Sequence, residues 1–162
     1  KADKRVDVAE IASQRIVYLW LDRSRGEGPT PFITGPTGEK LDKNPLNDVR
    51  VRRALAMAIN RDQLVRDVTK GHQMPASHFS PPNLAGFTAQ ARVPQDPAAA
   101  RKLLAEAGFP NGAGFPKLDI LFNTNEGHRQ IAECDTRLGI DVAADDDQFD
   151  VWLIDEQSDN RH

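Results

Sequence analysis

The stretch Asn44–Asp62, which reads NPLNDVRVRRALAMAINRD, decides the fold of this chain. After Asp48, apolar residues recur at helical spacing and fall on one face of a helix. The residues of that face are Val51, Leu55, Ala58 and Ile59. The pattern therefore predicts a helix that begins next to Asp48 and buries one side in a core.

The same stretch contains a break at Asn60. A second helical set starts at Arg61, and Gly71 is a natural stop for it. We therefore expect two short helices with a bend near Asn60, or one kinked helix. Three arginines start on the other faces of the first helix: Arg50, Arg52 and Arg53. With acidic residues nearby, they indicate a solvated helix face rather than an anion-binding patch.

On the amino-terminal side, an unbroken apolar run at 16–21 predicts a strand over 15–21 that is covered on both faces. A weaker strand candidate lies at 5–11. The aromatic residues of the run, Tyr18 and Trp20, are expected in the core, and stacking on a ligand is the alternative. Gly and Pro recur through 22–47, which predicts a long surface loop that is either functional or a solvated insertion.

On the carboxyl-terminal side, Asp96 and Pro97 predict a helix start, and Gly108 predicts its end. Further elements are predicted at 118–123 (strand), 126–138 (helix), 140–143 (strand) and 149–154 (strand). Strands interleaved with helices predict an α/β fold with a mixed sheet flanked by helices.

About six residues separate the last two strands, fewer than a parallel crossover needs. Either they form an antiparallel hairpin, or residues are missing there.

Composition excludes several classes of protein. The chain has 162 residues, a net charge of −3 and one cysteine, which suits a single globular domain without a disulfide framework. The small negative charge argues against a nucleic-acid partner.

His72 and His78 have no clear third ligand, so neither a metal nor another cofactor is expected. Cys134 is expected to be an inert thiol on a helix, and a hydrolase that uses it as nucleophile is the minor alternative.

Four segments, in order, resemble the extracytoplasmic solute-binding proteins of peptide ABC importers (solute-binding family 5). The most specific is Asn44–Asp62, and Asp96–Gly112 (DPAAARKLLAEAGFPNG) is similar to a second family motif. The others are Gly71 with the PA and PP pairs that follow it, and Leu138–Val142 (LGIDV). Phe149–Leu153 also fits the strand that comes next, so the resemblance extends over residues 6–159.

The resemblance implies one lobe of a periplasmic-binding-protein type II fold, here residues 1–162 as an incomplete C-terminal lobe. It implies no enzyme activity. The implied partners are a peptide or similar small solute, the missing N-terminal lobe and the membrane subunits of an ABC importer. The implied location is the periplasm, or the cell exterior with a membrane tether. Segments near 133–136 and 143–148 are shorter than in the family, which predicts missing residues. The alternative is a folded structural or interaction fragment that retains no ligand binding.

The resemblance also implies ligand-binding residues. Asp159 matches an aspartate that takes the amino end of the peptide, although Asp155 and Glu156 stand where the family has Gly-Trp; the alternative is a solvated acidic tail. Asn123, Thr124 and His128 match a strand-to-helix turn that meets the ligand's carboxylate. The alternative is that Asn123 or Thr124 only caps the helix and that His128 is exposed.

Overall fold

A computed structural model of the chain describes residues 15–23, 32–77, 79–81, 84–87, 92–121 and 126–137, with side chains to 132 in the last range. Several predictions lie outside the described residues: the strands at 5–11, 140–143 and 149–154, the proposed gap near 143–148, and the residues His78, Asn123, Thr124 and Asp159. The position of the other proposed gap, near 133–136, lies within the described backbone, where α4 runs without a break to Arg137. The side chain of Cys134 is outside them too.

Helices dominate the described part of the chain. The elements in chain order are β1 (Ile33–Thr34), a 3-10 helix (Pro45–Asn47), α1 (Val49–Ala58), α2 (Arg61–Asp67), α3 (Pro97–Glu106), a 3-10 helix (Pro110–Gly112), β2 (Lys117–Leu118) and α4 (Glu126–Arg137). No helix within the described ranges combines the length and the apolar character needed to cross a membrane.

Side-chain caps explain why the decisive stretch divides into separate helices. Asn44 accepts a hydrogen bond from the Leu46 backbone N–H (2.9 Å) and starts the first 3-10 helix. Asp48 accepts from Arg50 N–H (2.8 Å) and starts α1. Asn60 accepts from the backbone N–H at position 63 (2.9 Å) and starts α2. The predicted pair of helices with a break near Asn60 is therefore confirmed.

Helix α3 has the ends that its sequence predicts. Asp96 accepts from the Ala99 N–H (2.9 Å), and Pro97 occupies the first turn. At the other end Gly108 has a φ of +102°. This left-handed backbone lets Phe109 N–H donate to Leu104 C=O (2.9 Å) and Gly108 N–H donate to the carbonyl of residue 105 (3.1 Å). The two bonds form a Schellman motif, which satisfies the last carbonyls of the helix.

Helices α1 and α3 pack together as an antiparallel pair that is bonded at both ends. The Asp96 N–H, at the start of α3, donates to the Met57 carbonyl near the end of α1 (3.0 Å). Arg50, at the start of α1, donates through Nη1 to the Glu106 carbonyl at the end of α3. The core lies under this pair, and its buried apolar residues are Ile33, Leu46, Val51, Ala54, Leu55, Ala58, Ala100, Leu104, Phe115, Leu118, Ile120 and Ala132.

The sheet within the described residues is a two-stranded antiparallel pair. In β1 and β2, Ile33 pairs with Leu118 and Thr34 with Lys117. The strand predicted at 118–123 is thus shorter and begins one residue earlier, although Asp119 N–H still donates to Phe32 C=O (2.9 Å). The predicted loop at 22–47 is interrupted by β1 and by the first 3-10 helix.

The strand predicted at 15–21 is wrong, because these residues join no strand ladder in the described part of the chain. Val17, Leu19 and Leu21 pack against the core at every second position, while Trp20 between them is exposed. The run therefore covers the core with one face. A continuous apolar run cannot reveal whether a second layer covers its other face, since that layer comes from distant residues.

Candidate ligand-binding site

Of the three predicted carboxylate-binding residues, the described part of the chain contains His128, which lies in the first turn of α4. Glu126 accepts hydrogen bonds from Arg129 Nε (2.9 Å) and Gln130 Nε2 (3.1 Å). The Arg129 side chain, with help from Gln130, lowers the pKa of the Glu126 carboxyl. The pair is exposed, so this turn presents a local ion pair to solvent beside the amino-terminal end of the helix.

His128 lies in the same turn and is buried, with 6% of its surface exposed. Arg15 Nη2 donates to its Nε2 atom at 2.9 Å, across 113 positions of sequence. The alternative of an exposed His128 is therefore wrong, because the ring is buried and bonded to the Arg15 side chain. Its predicted contact with a ligand stays a prediction, as do those of Asn123, Thr124 and Asp159, which lie outside the described residues.

Three aromatic side chains, Tyr18, Trp20 and Phe79, form a cluster that we call the aromatic group. The rings of Tyr18 and Phe79 meet edge to face with 4.8 Å between centroids, and Tyr18 lies 6.3 Å from Trp20. Trp20 is 65% exposed and Phe79 67% exposed. The expectation that Trp20 is a core residue is therefore wrong. Sequence reasoning missed Phe79, because a single aromatic residue in a Pro- and Ser-containing loop carries no periodic pattern.

The segment 15–23 connects the aromatic group to α4. Arg15 bonds to His128 at one end of the segment, and Asn44 Nδ2 donates to the Asp22 carbonyl (2.9 Å) at the other. Tyr18 follows Arg15 by three residues, so their Cα atoms are at most about 11 Å apart. The same short segment therefore carries the cation that bonds to the first turn of α4 and two of the three aromatic rings.

This arrangement suits a ligand with an anionic group and an apolar part. Helix amino termini and guanidinium groups attract carboxylates, and exposed aromatic rings bind apolar side chains. Among the residues that the structure describes, no group of three or more His, Cys, Asp or Glu side chains converges.

A concavity of about 350 Å³ lies beside α2 and is a weaker candidate for a ligand site. Its lining includes Ile59, Arg61, Asp62 and Arg92. Arg92 donates to both carboxylate oxygens of Asp62 (2.6 and 3.2 Å), so these two charges balance each other. Arg61, the remaining cation of the lining, donates through Nη1 to the Ala56 carbonyl (3.2 Å).

Comparisons with known proteins identify the family of the chain. The family model described as "Bacterial extracellular solute-binding proteins, family 5 Middle" matches residues 1–134. The oligopeptide-binding protein OppA of Bacillus subtilis is 31% identical over 124 residues, which are 69% of this chain and 23% of that protein. The periplasmic murein peptide-binding protein MppA of Escherichia coli is 34% identical over 162 residues, covering 91% of this chain and 30% of that protein.

A solved structure is similar as well. The periplasmic oligopeptide-binding protein OppAIV of Borrelia burgdorferi superposes with a TM-score of 0.57 at 32% identity, covering 71% of this chain and 22% of that one. The fold is accordingly that of one part of a type II periplasmic binding protein. This chain spans between about a fifth and a third of the length of these relatives. The match to the family model over residues 1–134 establishes that the chain belongs to the family 5 bacterial extracellular solute-binding proteins.

Proposed function

We propose that this chain forms part of the binding cleft of a receptor that delivers peptides, or similar small solutes, to the membrane subunits of an ABC importer. Family membership carries the proposal, because relatives that match most of this chain are named for binding oligopeptides and murein peptides. Such a receptor binds and releases its ligand and performs no reaction. It would work in the periplasm, or outside the cell with a membrane tether.

In this proposal residues 1–162 are a single lobe, and an N-terminal lobe supplies the opposite wall of the cleft. The proposed carboxylate-binding residues are His128, together with Asn123 and Thr124, which precede α4. Asp159 would take the amino end of the peptide. Support comes from the Arg15 guanidinium beside His128 and from the first turn of α4, both of which favour an anionic group.

The aromatic group supports an apolar side chain as a further part of the ligand. Trp20 and Phe79 are both mostly exposed although each is large and apolar. Exposed aromatic residues in contact with one another are typical of recognition surfaces. Because the second wall and the closure of the cleft would be absent, we expect the 162-residue chain by itself to bind only at millimolar concentrations.

An NMR titration of the ¹⁵N-labelled chain tests this proposal. The ligand is the tripeptide Ala-Phe-Ala, and the matched control is the same peptide with an amidated carboxyl end. We expect the free acid to shift the backbone amides at Gly127–Arg129 and the Trp20 indole signal. The amidated peptide should shift the Trp20 indole signal but leave the backbone signals of α4 largely unchanged.

Two outcomes would count against the proposal. Equal shifts at α4 with both peptides would exclude carboxylate recognition there. No shift at any residue at millimolar peptide would instead favour a folded structural or interaction unit that retains no ligand binding.

A further inference from the structure

The pair Asn111–Gly112 lies in the second 3-10 helix and is the only Asn-Gly step in the 162-residue sequence. Asparagine before glycine is the step of a peptide chain that loses its side-chain amide most readily, because glycine has no side chain to shield its backbone nitrogen. Asn111 is exposed, whereas Gly112 is buried. We propose that Asn111 is a modification site that the turn 109–115 protects: it stays an asparagine while the turn is closed and becomes aspartate or isoaspartate when the turn opens.

The modification consumes water and releases ammonia. The Gly112 backbone nitrogen gives up its proton and attacks Cγ of Asn111, the Cγ–Nδ2 bond breaks, and Nδ2 leaves with a proton as ammonia. The product is an imide ring, which water then opens. Opening at Cγ restores the main chain and leaves aspartate, whereas opening at the backbone carbonyl carbon gives isoaspartate. In isoaspartate the main chain runs through Cβ and Cγ, so it is longer by a single carbon.

Backbone geometry is the first part of the protection. To close the ring, the Gly112 nitrogen must lie on the side of Asn111 that carries Cβ. Asn111 has a φ of 54° and a ψ of 27°. A ψ this close to zero turns the Gly112 nitrogen toward the backbone nitrogen of Asn111, which is a different substituent of the tetrahedral Cα from Cβ. Attack therefore requires a rotation about the Cα–C bond of Asn111.

Hydrogen bonds and ring packing oppose that rotation. The Gly112 N–H donates to the Phe109 carbonyl (2.9 Å), and the Phe115 N–H donates to the Gly112 carbonyl (2.9 Å). The rings of Phe109 and Phe115 meet edge to face with 5.1 Å between centroids. The attacking nitrogen is thus bonded in a buried residue, and it becomes available only through local opening, as in amide hydrogen exchange.

The aspartate and isoaspartate products differ in whether the turn can close again. Aspartate adopts the left-handed backbone of position 111 about as readily as asparagine does. Isoaspartate inserts a carbon between the Phe109 carbonyl and the Gly112 N–H, so this bond can no longer form with the same geometry. Because the second 3-10 helix packs against α3 and leads toward β2, its loss is expected to destabilise the chain. Isoaspartate would thus form in the open turn and keep it open.

Peptide mapping by mass spectrometry tests the protection in the wild-type chain. The chain is incubated at mildly alkaline pH, folded in buffer or unfolded in guanidinium chloride, and conversion of the amide to an acid is followed at Asn111. We expect conversion to be about tenfold or more faster in the unfolded chain. Asn44 and Asn60, which precede Pro and Arg, are internal controls and should convert far more slowly there. Equal rates for the folded and unfolded chain, or no conversion of Asn111 in the unfolded chain, would overturn the proposal.

Two variants connect conversion to the opening of the turn. Phe109→Ala removes a ring that closes the turn, so conversion of Asn111 and hydrogen exchange of the Gly112 amide should both become faster. Phe79→Ala removes an exposed ring elsewhere and should change neither rate. A rise in either rate without the other would show that the turn does not control the modification.

Urea unfolding of the products tests the consequence. Asn111→Asp, which is the aspartate product, should unfold at the same urea concentration as wild type. The isoaspartate chain, separated by chromatography after conversion and refolding, should unfold at a lower urea concentration. Equal urea midpoints for the isoaspartate chain and Asn111→Asp would contradict the inference that isoaspartate keeps the turn open.

Discussion

At the scale of single residues, Asp48 illustrates how one carboxylate serves two contacts. Its oxygen accepts the Arg50 backbone N–H at the start of α1, and the Arg50 side chain returns to bind both carboxylate oxygens. The side-chain bonds from Arg50 lower the pKa of Asp48, and Asp48 in turn raises the pKa of Arg50. Since Arg50 also reaches the Glu106 carbonyl, this pair aligns α1 with α3.

The lowered pKa of Asp48 predicts a pH-dependent contribution to stability. The folded state holds the carboxyl more acidic than its ordinary value of 3.8. The contribution is therefore present above that value and is lost as the pH falls through the folded-state pKa. Asp48→Asn keeps a capping oxygen without the charge. We expect it to be less stable than wild type at neutral pH, with the difference shrinking well below pH 3.8.

Urea unfolding at neutral pH and at acid pH measures this difference. Asp42→Asn, which removes an exposed carboxylate from the same region, controls for the change in net charge. A difference between wild type and Asp48→Asn that stays constant with pH would contradict the assignment.

At the scale of elements, the caps of α3 define where the helix begins and ends. Asp96 satisfies the Ala99 N–H, and Gly108 supplies the left-handed residue that the Schellman motif requires. Between them only Ala100 and Leu104 are fully buried, so the helix depends on its ends as well as on its apolar face.

Replacing the amino-terminal cap should therefore destabilise the chain. Asp96→Ala is expected to cost about 1 kcal/mol, because the Ala99 N–H loses its partner at the helix start. Asp96→Ser should retain most of the stability, since a hydroxyl can accept the same bond. The measurement is the free energy of unfolding in urea. An Asp96→Ala chain as stable as Asp96→Ser would show that the cap contributes nothing here.

At the scale of the whole molecule, Asn44 joins parts of the chain that are distant in sequence. It is buried, its Oδ1 accepts from Leu46 N–H, and its Nδ2 donates to the Asp22 carbonyl. The side chain thus holds the segment 15–23 against the 3-10 helix that precedes α1. A buried amide that bonds at both ends is costly to replace, because its former partners lose theirs.

Two substitutions separate the contacts of Asn44. Asn44→Ala removes both bonds and is expected to cost about 1–3 kcal/mol. Asn44→Asp keeps the acceptor for Leu46 but turns an oxygen toward the Asp22 carbonyl, so it should mainly free the segment 15–23. Unfolding in urea gives the stability, and hydrogen exchange at 16–21 reports the segment. Asn47→Ala, at an exposed position, should change stability by less than about 0.5 kcal/mol. Similar losses for Asn44→Ala and Asn47→Ala would contradict the role of Asn44.

Local chemistry made the helices predictable. Asp48, Asn60 and Asp96 each bond an N–H within three residues, so a short window of sequence contains both partners. The resemblance to the family rested on the same stretches, and the family that it indicated is confirmed by the match to the family model.

Contacts between distant residues could not be predicted in this way. The burial of His128 depends on Arg15, 113 positions away, and the exposure of Trp20 depends on which layer covers the run at 15–21. The sequence around His128 does not contain Arg15, and the apolar run does not contain the residues that cover it. The sequence therefore predicted a candidate site at α4, and the Arg15 cation bonded to His128 and the group of exposed aromatic rings became apparent only from the folded chain.

The bond between the Asp96 N–H and the Met57 carbonyl has a consequence for how this protein can vary. The bond holds the start of α3 against the end of α1, so the connection that leaves α2 must end at this point whatever its length. Lengthening a connection whose ends are pinned costs little entropy. We therefore expect homologues to tolerate the gain or loss of residues between Lys70 and Arg92, and so a change in the surface around Phe79, without a change in the packing of α1 on α3.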